Sequence, residues 1–441
     1  MPIELDPFVA DESLPTSADV VVVGGGIIGA STALFLAERG ADTLLCEKGQ
    51  ISAEQSGRNW GWCRSMGRDP RELPLVMESL KLWRTMNERV GAETGFRQCG
   101  TLYLCPDEAS LRKREAWLPH ARQYGVDSRI LRGREVNRLL EGSASTWLGA
   151  LHTPSDGVAE PQKATTAIAH GARRRGAKVL TRCAVRGIET SGGRVSGVVT
   201  EKGRVSCRTA VLAGGAWSSL FCRYLGVRLP QLKVLASVLR TAPLEDGPST
   251  AAWGPGLALR KRLDGGYTVS HGSVVANIVL DSFRYFTDFL PVLRMEWQGI
   301  SLRLGAQFLQ EWQFGRGWTL DDVSPFEKVR TLDPPPVNDD LRRARGELER
   351  AFPVFQGVPT VASWAGLIDA TPDLLPVISG VARLPGLVIS TGYSGHGFGI
   401  GPGAGKLTAD LATNAALVVD PSPFRLSRFE ERPRPRPQAG L

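Results

Sequence analysis

Asp19-Val20-Val21-Val22-Val23-Gly24-Gly25-Gly26-Ile27-Ile28-Gly29 is the stretch whose reading decides the fold. Four consecutive valines predict an extended strand, because β-branched side chains suit a pleated surface and an unbroken apolar run suits a strand covered on both faces. Gly24, Gly26 and Gly29 match G-x-G-x-x-G, and Ala30 to Arg39 reads as a helix ended by Gly40. Thr43 to Glu47 reads as the next strand, so the chain opens with a βαβ unit. Such a turn lets backbone approach a pyrophosphate while the helix N-terminus offers free amides and positive potential. Glu47, 18 residues after Gly29, stands where an acid accepts hydrogen bonds from a ribose 2′-hydroxyl and would repel a 2′-phosphate. Strand, glycine turn, helix and acid in register predict a dinucleotide site.

Outward from this unit, helical patterns recur at Arg71 to Arg89 and Pro161 to Arg175, and strand patterns at Lys178 to Glu189, Arg194 to Thr200 and Arg204 to Ala213. Between about Gln231 and Pro336 the character changes, with more aromatics, a turn at Asp264-Gly265-Gly266 and the acidic-aromatic run DSFRYFTDFLP. A proline-rich joint, Asp333-Pro334-Pro335-Pro336, precedes an amphipathic helix from about Asn338 to Phe352. The last third returns to strand, glycine-rich loop and helix, and ERPRPRPQAGL reads as a frayed tail. The expected class is α/β: a discontinuous Rossmann-like domain (1–95, 150–228 and 358–441) with an inserted, mainly antiparallel-sheet substrate domain (96–149 and 229–357).

At 441 residues, two domains are the sensible prior, and 42% apolar with 22% charged residues is ordinary for a globular chain. The formal charge of +8 comes from scattered Lys and Arg without a nucleic-acid-binding signature, so steering of an anionic ligand is the better reading. Its densest run, Arg173-Arg174-Arg175, falls late in a helix, where cations suit the dipole and face solvent. Seven cysteines without a CxxC pair and five histidines without ligand spacing indicate free thiols and no metal. The acidic N-terminus lacks a signal-peptide pattern, and Val20 to Ala37, although uncharged over 18 positions, is explained by the βα unit rather than by a membrane segment. A cytoplasmic protein is expected.

Three further segments separate the candidate dinucleotides: SGRN (Ser56 to Asn59) continuing into Trp60-Gly61-Trp62, AGGAWS (Ala213 to Ser218), and GYSGHGFGIGPG (Gly392 to Gly403), whose six glycines end at a proline that reads as a helix N1 position. With WAGLIDATPD (Trp364 to Asp373), their order and spacing resemble the D-amino-acid oxidase and glycine/sarcosine oxidase family of FAD enzymes over most of the chain. The resemblance implies that Gly24, Gly26, Ile27, Ile28 and Gly29 meet the pyrophosphate of FAD and that Glu47 and Lys48 meet the adenosine. It places Ser56, Arg58, Asn59, Trp60 and Gly61 along the pyrophosphate-to-isoalloxazine stretch and Val185 at the adenine. Ala213, Gly214 and Trp217 fall along the ribityl region, and Gly395, His396, Gly397, Phe398 and Gly399 face the ring.

Two departures from the family pattern matter. Covalent-flavin relatives carry a Cys where Gly366 stands here, so FAD is expected to be noncovalent. Sarcosine-oxidase relatives place a carboxylate-binding Lys after GHGF, where this chain has Gly399. Arg64 could replace that clamp by bidentate pairing, or could pair with a structural acid such as Asp69. Trp60 and Trp62 alternate and so face one side, as pocket wall or as core. Tyr393 and His396 are candidates for aiding amine deprotonation, although the His396 ring could equally pack away while its backbone meets the flavin; His271 is more simply structural. The implied activity is hydride transfer to flavin N5 from a carbon bearing an amine, in an amino acid or amine, giving an imine that hydrolyses, with oxygen or a quinone-type carrier as final acceptor. Oxidation of a hydroxy acid or polyol, or a non-catalytic flavin-binding subunit, are the alternatives.

Overall fold

The computed structural model describes residues 3–296, 299–305, 307–314 and 317–438. Its first layer is a six-stranded sheet in the order Val377–Gly380, Leu387–Thr391, Thr209–Leu212, Val20–Val23, Thr43–Cys46, Lys178–Leu180, parallel except for the outermost pair Val377–Gly380 and Leu387–Thr391. Val20 and Val22 point into a core shared with helices Ile27–Glu38, Pro161–Arg174 and Gly397–Thr413, whereas Val21 points into a second core on the opposite face. Leu45 against Leu44 and Cys46 repeats the division one strand over. Cover on both faces is why Val20–Val23 and Leu44 to Cys46 are apolar at consecutive positions instead of every second one.

Two predicted strands divide. Lys178 to Glu189 breaks at Arg182, which has φ 46°, so that Lys178–Leu180 joins the parallel sheet and Val185–Ser191 begins an antiparallel three-stranded sheet with Arg194–Thr200 and Gly203–Ser206. Arg204 to Ala213 likewise splits into Gly203–Ser206 and Thr209–Leu212, in different sheets. A long apolar run reports burial, not which sheet receives it. The predicted helix Arg71 to Arg89 breaks at Thr85 into Leu73–Arg84 and Met86–Val90.

The second layer is a ten-stranded, mainly antiparallel sheet running from Ile300–Arg303 through Val274–Asn277, Leu232–Thr241, Tyr267–Ser270, Leu257–Lys261, Ala251–Gly254, Thr101–Cys105 and Gly149–Thr153 to Arg129–Arg132. The tenth strand, Thr360–Ala370, pairs with Leu232–Thr241 from Leu232↔Ala370 onward. The chain therefore leaves this sheet only after Ala370, later than the expected boundary at 358. Helix Asn338–Ala351 packs its apolar side onto the sheet through Ala344, Leu348 and Ala351.

The run DSFRYFTDFLP forms helices Leu280–Arg284 and Phe286–Glu296, which dock on the first domain through Arg223–Asp281 (2.9 Å) and Arg228–Asp288 (2.6 Å). Arg173 and Arg175 are not simply solvated: they pair with Asp11 and Glu38. The C-terminal tail is also tied down, by Arg425–Glu431 and by Arg71 donating to the Arg436 carbonyl, while residues 439–441 lie outside the described residues. Among the described residues all seven cysteines are free, no cluster suited to a metal is found, and no helix is long and apolar enough to cross a membrane.

Candidate active site

One elongated cavity runs between the two layers. At one end its wall is Gly24, Gly25, Gly26, Ile27, Ile28, Glu47, Lys48 and Val185. The glycine turn is wedged so closely that a Cβ on Gly24 would lie 2.4 Å from the Ala213 carbonyl oxygen, at a φ of 112°, and one on Gly25 would lie 2.9 Å from Glu47 Cβ. Glu47 accepts from the Gly25 and Gly49 amides at 2.6 and 2.7 Å, one on each oxygen, which leaves lone pairs for further donors. Burial raises its carboxyl, opposed by Lys48 and the two amides. Ser56 Oγ accepts from the Ile27 amide at the start of the first helix (2.8 Å). A backbone cradle that only glycine fits, a helix N-terminus and a buried acid with spare acceptor capacity fit the pyrophosphate and adenosine ribose of FAD.

The side chain of Lys48 is already engaged, with Glu54 (2.7 Å), the carbonyls of Val329 and Arg330, and the face of Trp217, so its place in the cavity wall is structural. Gly29, Gly61 and Gly399, expected at the cofactor, are not among the lining residues. A Cβ on Gly29 would meet Gly24 O at 1.9 Å, one on Gly61 the Ala159 oxygen at 2.3 Å, and one on Gly399 the Trp62 oxygen at 2.7 Å. These glycines permit close packing behind the wall. Ser56, Arg58, Asn59, Trp60, Ala213, Gly214, Trp217, Gly366, Gly395, Gly397 and Phe398 do line it. Gly366 stands over Arg58, whose Cβ would be 3.1 Å from a Cβ added there, and no thiol occupies that position.

The glycine-rich helix begins at Gly397, with His396 as N-cap, rather than at Pro402. Pro402 lies inside it, and the Ser79 hydroxyl is inserted into the next turn, donating to the Gly399 carbonyl (2.9 Å) and accepting from the Gly403 amide (3.2 Å). Gly401 and Gly405 bring this helix against Ile27 and Ser31 of the first helix. The alternating glycines thus extend well past the loop, because two helices converge there.

At its other end the cavity is aromatic and cationic. Trp60, Trp62 and Trp253 meet edge to face, with ring centroids 5.4 to 6.3 Å apart, so the two alternating tryptophans form a wall completed by Trp253 of the second layer. Arg260, 1% exposed, forks onto Glu160 (2.7 and 3.0 Å) and donates to the Trp60 carbonyl, fixing that wall. Burial alone would raise the Glu160 carboxyl, but Arg260 and Arg262 outweigh it and hold it at about 2. Asp156 anchors the neighbouring loop through the amides of Ser65 and Met66 and the hydroxyls of Ser65 and Thr101.

Arg64 does not pair with Asp69, which is taken by Arg71. Its guanidinium, 6% exposed, donates to the Met66 carbonyl and lies 5.1 Å from the Tyr103 ring and 5.8 Å from the rings of Trp62 and Trp253. Arg68 lines the same space, 5% exposed and with an unpartnered Nε; burial, then the charge of Arg64, lowers it to about 9. Among the described residues neither arginine forms an ion pair with a carboxylate. His396 also lines the cavity, its ring 3.5 Å from Glu72, and burial followed by the charge of Arg68 lowers it to about 4 against the pull of Glu72. Tyr393 reaches the cavity, but its hydroxyl is bound to Ser390 (2.7 Å) and burial raises it, which removes it as a base. Asp369, raised to about 6 by burial, holds Gln231, Thr391 and the Gly392 amide beneath the loop. Sequence reasoning missed Arg68, Glu72 and Trp253. The first two sit in GRDPRE, where charge beside a proline reads as an ordinary helix start, and Trp253 is one aromatic among many in the variable region.

Residues 19–411 match the family model for FAD dependent oxidoreductases (DAO). The chain is similar to sarcosine oxidase subunit beta of Arthrobacter sp, at 26% identity over 94% of this chain and 91% of that one. It is also similar to glycine oxidase of Pseudomonas putida, at 25% identity over 92% and 98% of the two chains. Among solved structures, L-amino acid deaminase from Proteus myxofaciens in complex with anthranilate superposes with a TM-score of 0.93 at 36% identity, over 97% of this chain and 96% of that one.

Proposed function

From the premise that this chain belongs to the DAO family of FAD-dependent oxidoreductases, we propose that it oxidises the C–N bond of an α-amino acid of the L series. The observation that carries the choice of amino acid over simple amine is the pair Arg64 and Arg68, two buried guanidinium groups without a carboxylate partner among the described residues. With His396 neutral, the group formed by Arg64, Arg68 and the adjacent Glu72 carries one net positive charge. A buried uncompensated charge is costly, and a single substrate carboxylate offsets it with charge-assisted hydrogen bonds.

Each element of the chain then has a task. The arginines fix the carboxylate and so the orientation of the α-carbon. Trp60, Trp62 and Trp253 give an apolar wall suited to a bulky aliphatic or aromatic side chain and exclude water. Gly24, Gly26, Glu47, Ser56 and Val185 hold the adenosine and pyrophosphate of FAD, and Gly395, Gly397 and Phe398 border the ring. The cofactor, when bound, supplies the hydride acceptor. The N-terminus of helix Gly397–Thr413 faces the cavity and favours negative charge there. The imine product hydrolyses to a keto acid and ammonia, and oxygen or a quinone-type carrier takes the electrons onward. Anaerobic mixing with L- and D-amino acids, followed at the flavin absorbance, tests the reading. Bleaching by L-amino acids is expected, and bleaching by amines alone would refute it.

A further inference from the structure

We propose that Arg64, Arg68, Glu72 and His396 act as one proton-accepting unit. In it, a substrate carboxylate docking on the two arginines makes His396, backed by Glu72, the acceptor of the proton that the substrate's own ammonium must lose. The proposal rests on the amino-acid reading above and adds to it the device that prepares the amine.

Glu72 immediately precedes helix Leu73–Arg84 and is 0% exposed, and neither of its carboxylate oxygens has a hydrogen-bond partner. A buried acid left this way costs free energy unless charges nearby repay it. Its neighbour is His396 Nδ1, 3.5 Å from Oε2. His396 is itself 6% exposed, with both ring nitrogens unpartnered, and it lines the cavity beside Arg68, whose Nε is also unpartnered. Three adjacent buried groups with unused polar atoms at a ligand cavity describe a site that awaits a ligand.

The charged groups facing His396 come from every element around it. Arg64 and Arg68 come from the loop after Trp62, Glu72 from the entry to the next helix, and its own turn contributes Tyr393, whose hydroxyl is engaged with Ser390. Burial and the two arginines oppose protonation of the imidazole, and Glu72 favours it. A carboxylate on the arginines offsets part of their combined opposition and leaves Glu72 in place. The step is a proton transfer only. An N–H bond of the ammonium breaks, its electron pair stays on nitrogen, and the proton goes to Nε2, the ring nitrogen of His396 that does not neighbour Glu72, giving an imidazolium beside Glu72. A decarboxylated amine brings no counter-charge, so it is not deprotonated in this way.

The direct test is the titration of His396 in the FAD-loaded protein carrying 13C-labelled histidine, followed by NMR with and without saturating benzoate, with the His396→Asn variant assigning the signal. Benzoate is expected to raise the midpoint by about one unit or more, and the Arg64→Met/Arg68→Met double variant is expected to abolish the rise. An unmoved midpoint overturns the proposal, whether benzoate fails to dock or docks without affecting His396. Glu72→Gln supplies a second reading. Because His396 becomes a weaker proton acceptor, flavin bleaching by the best amino acid should be roughly tenfold slower at and below neutral pH, where the proton must pass to His396, and unchanged at alkaline pH, where the amine is already free. A uniform loss at every pH would mark Glu72 as structural and defeat the relay. If no amino acid bleaches the wild-type flavin, the functional reading fails on its own, and the benzoate titration still decides the relay.

Discussion

Replacing Arg64 by methionine removes the charge while keeping the volume that fills the space between Trp62, Tyr103 and Trp253. In the folded protein one Nη1 donor is used on the Met66 carbonyl, and the rest of the fork has no carboxylate among the described residues, so a bidentate contact to a substrate remains available. Such a contact is worth on the order of 1.5 to 3 kcal/mol. Its loss should lower kcat/KM for the best amino acid by about 10 to 150 fold, and Arg68, which stays in place, keeps the effect within that range. The corresponding decarboxylated amine makes no such contact and should change by less than about twofold. The assay is steady-state oxidation of both substrates with an artificial electron acceptor, the FAD content of each preparation being measured in parallel. Equal losses on the two substrates would assign Arg64 to the folding of its loop and refute the argument. No loss on either would shift the weight to the tryptophan wall and to a bulky amine.

The FAD should be noncovalent, because Gly366 offers no thiol; acid precipitation should leave the pellet colourless, and flavin retained in it would contradict this. Glu47→Arg should purify with substoichiometric FAD, since a cation would replace both the ribose acceptor and the acceptor of the Gly25 and Gly49 amides; full occupancy would displace Glu47 from the adenosine end. Glu160, held at about 2 in the folded protein against an ordinary 4.5, contributes stability that is present above pH 4.5 and lost as pH falls toward 2. That contribution is roughly 3 kcal/mol, so Glu160→Gln should melt below wild type at pH 7, with the gap closing as pH falls below 4. A gap that does not depend on pH would remove the ion pair from the account.

The βαβ opening was legible because its signals agree: valines for a strand buried on both faces, glycines where backbone touches backbone at Gly24 and Ala213, and an acid one strand later. The cavity wall followed from the same agreement between Ser56, Ala213 and the GHGF segment. Sheet membership was not legible. Thr360–Ala370 contains WAGLIDA of the family pattern yet pairs along its whole length with Leu232–Thr241, a partner more than a hundred residues away. The glycine-rich helix was placed five residues late because Pro402 carries a strong start signal, and nothing in the sequence announces that Ser79 repairs the ladder beside it. Arg68 and Glu72 were hidden for a related reason: burial without partners is a tertiary fact, and a charged segment such as GRDPRE before a helix looks solvated until the helix is packed.

The central claim is that this flavoenzyme takes its hydride from a carbon that bears both an amine and a carboxylate. The most direct measurement is anaerobic stopped-flow bleaching of the purified, FAD-loaded protein by four matched compounds: an L-amino acid with a bulky apolar side chain, its D form, its decarboxylated amine and its 2-hydroxy acid. The account predicts saturable bleaching by the L-amino acid, at least tenfold slower bleaching by the amine, and none by the hydroxy acid. Bleaching by the hydroxy acid, equal bleaching by the amine, or an unchanged flavin with all four compounds would contradict it.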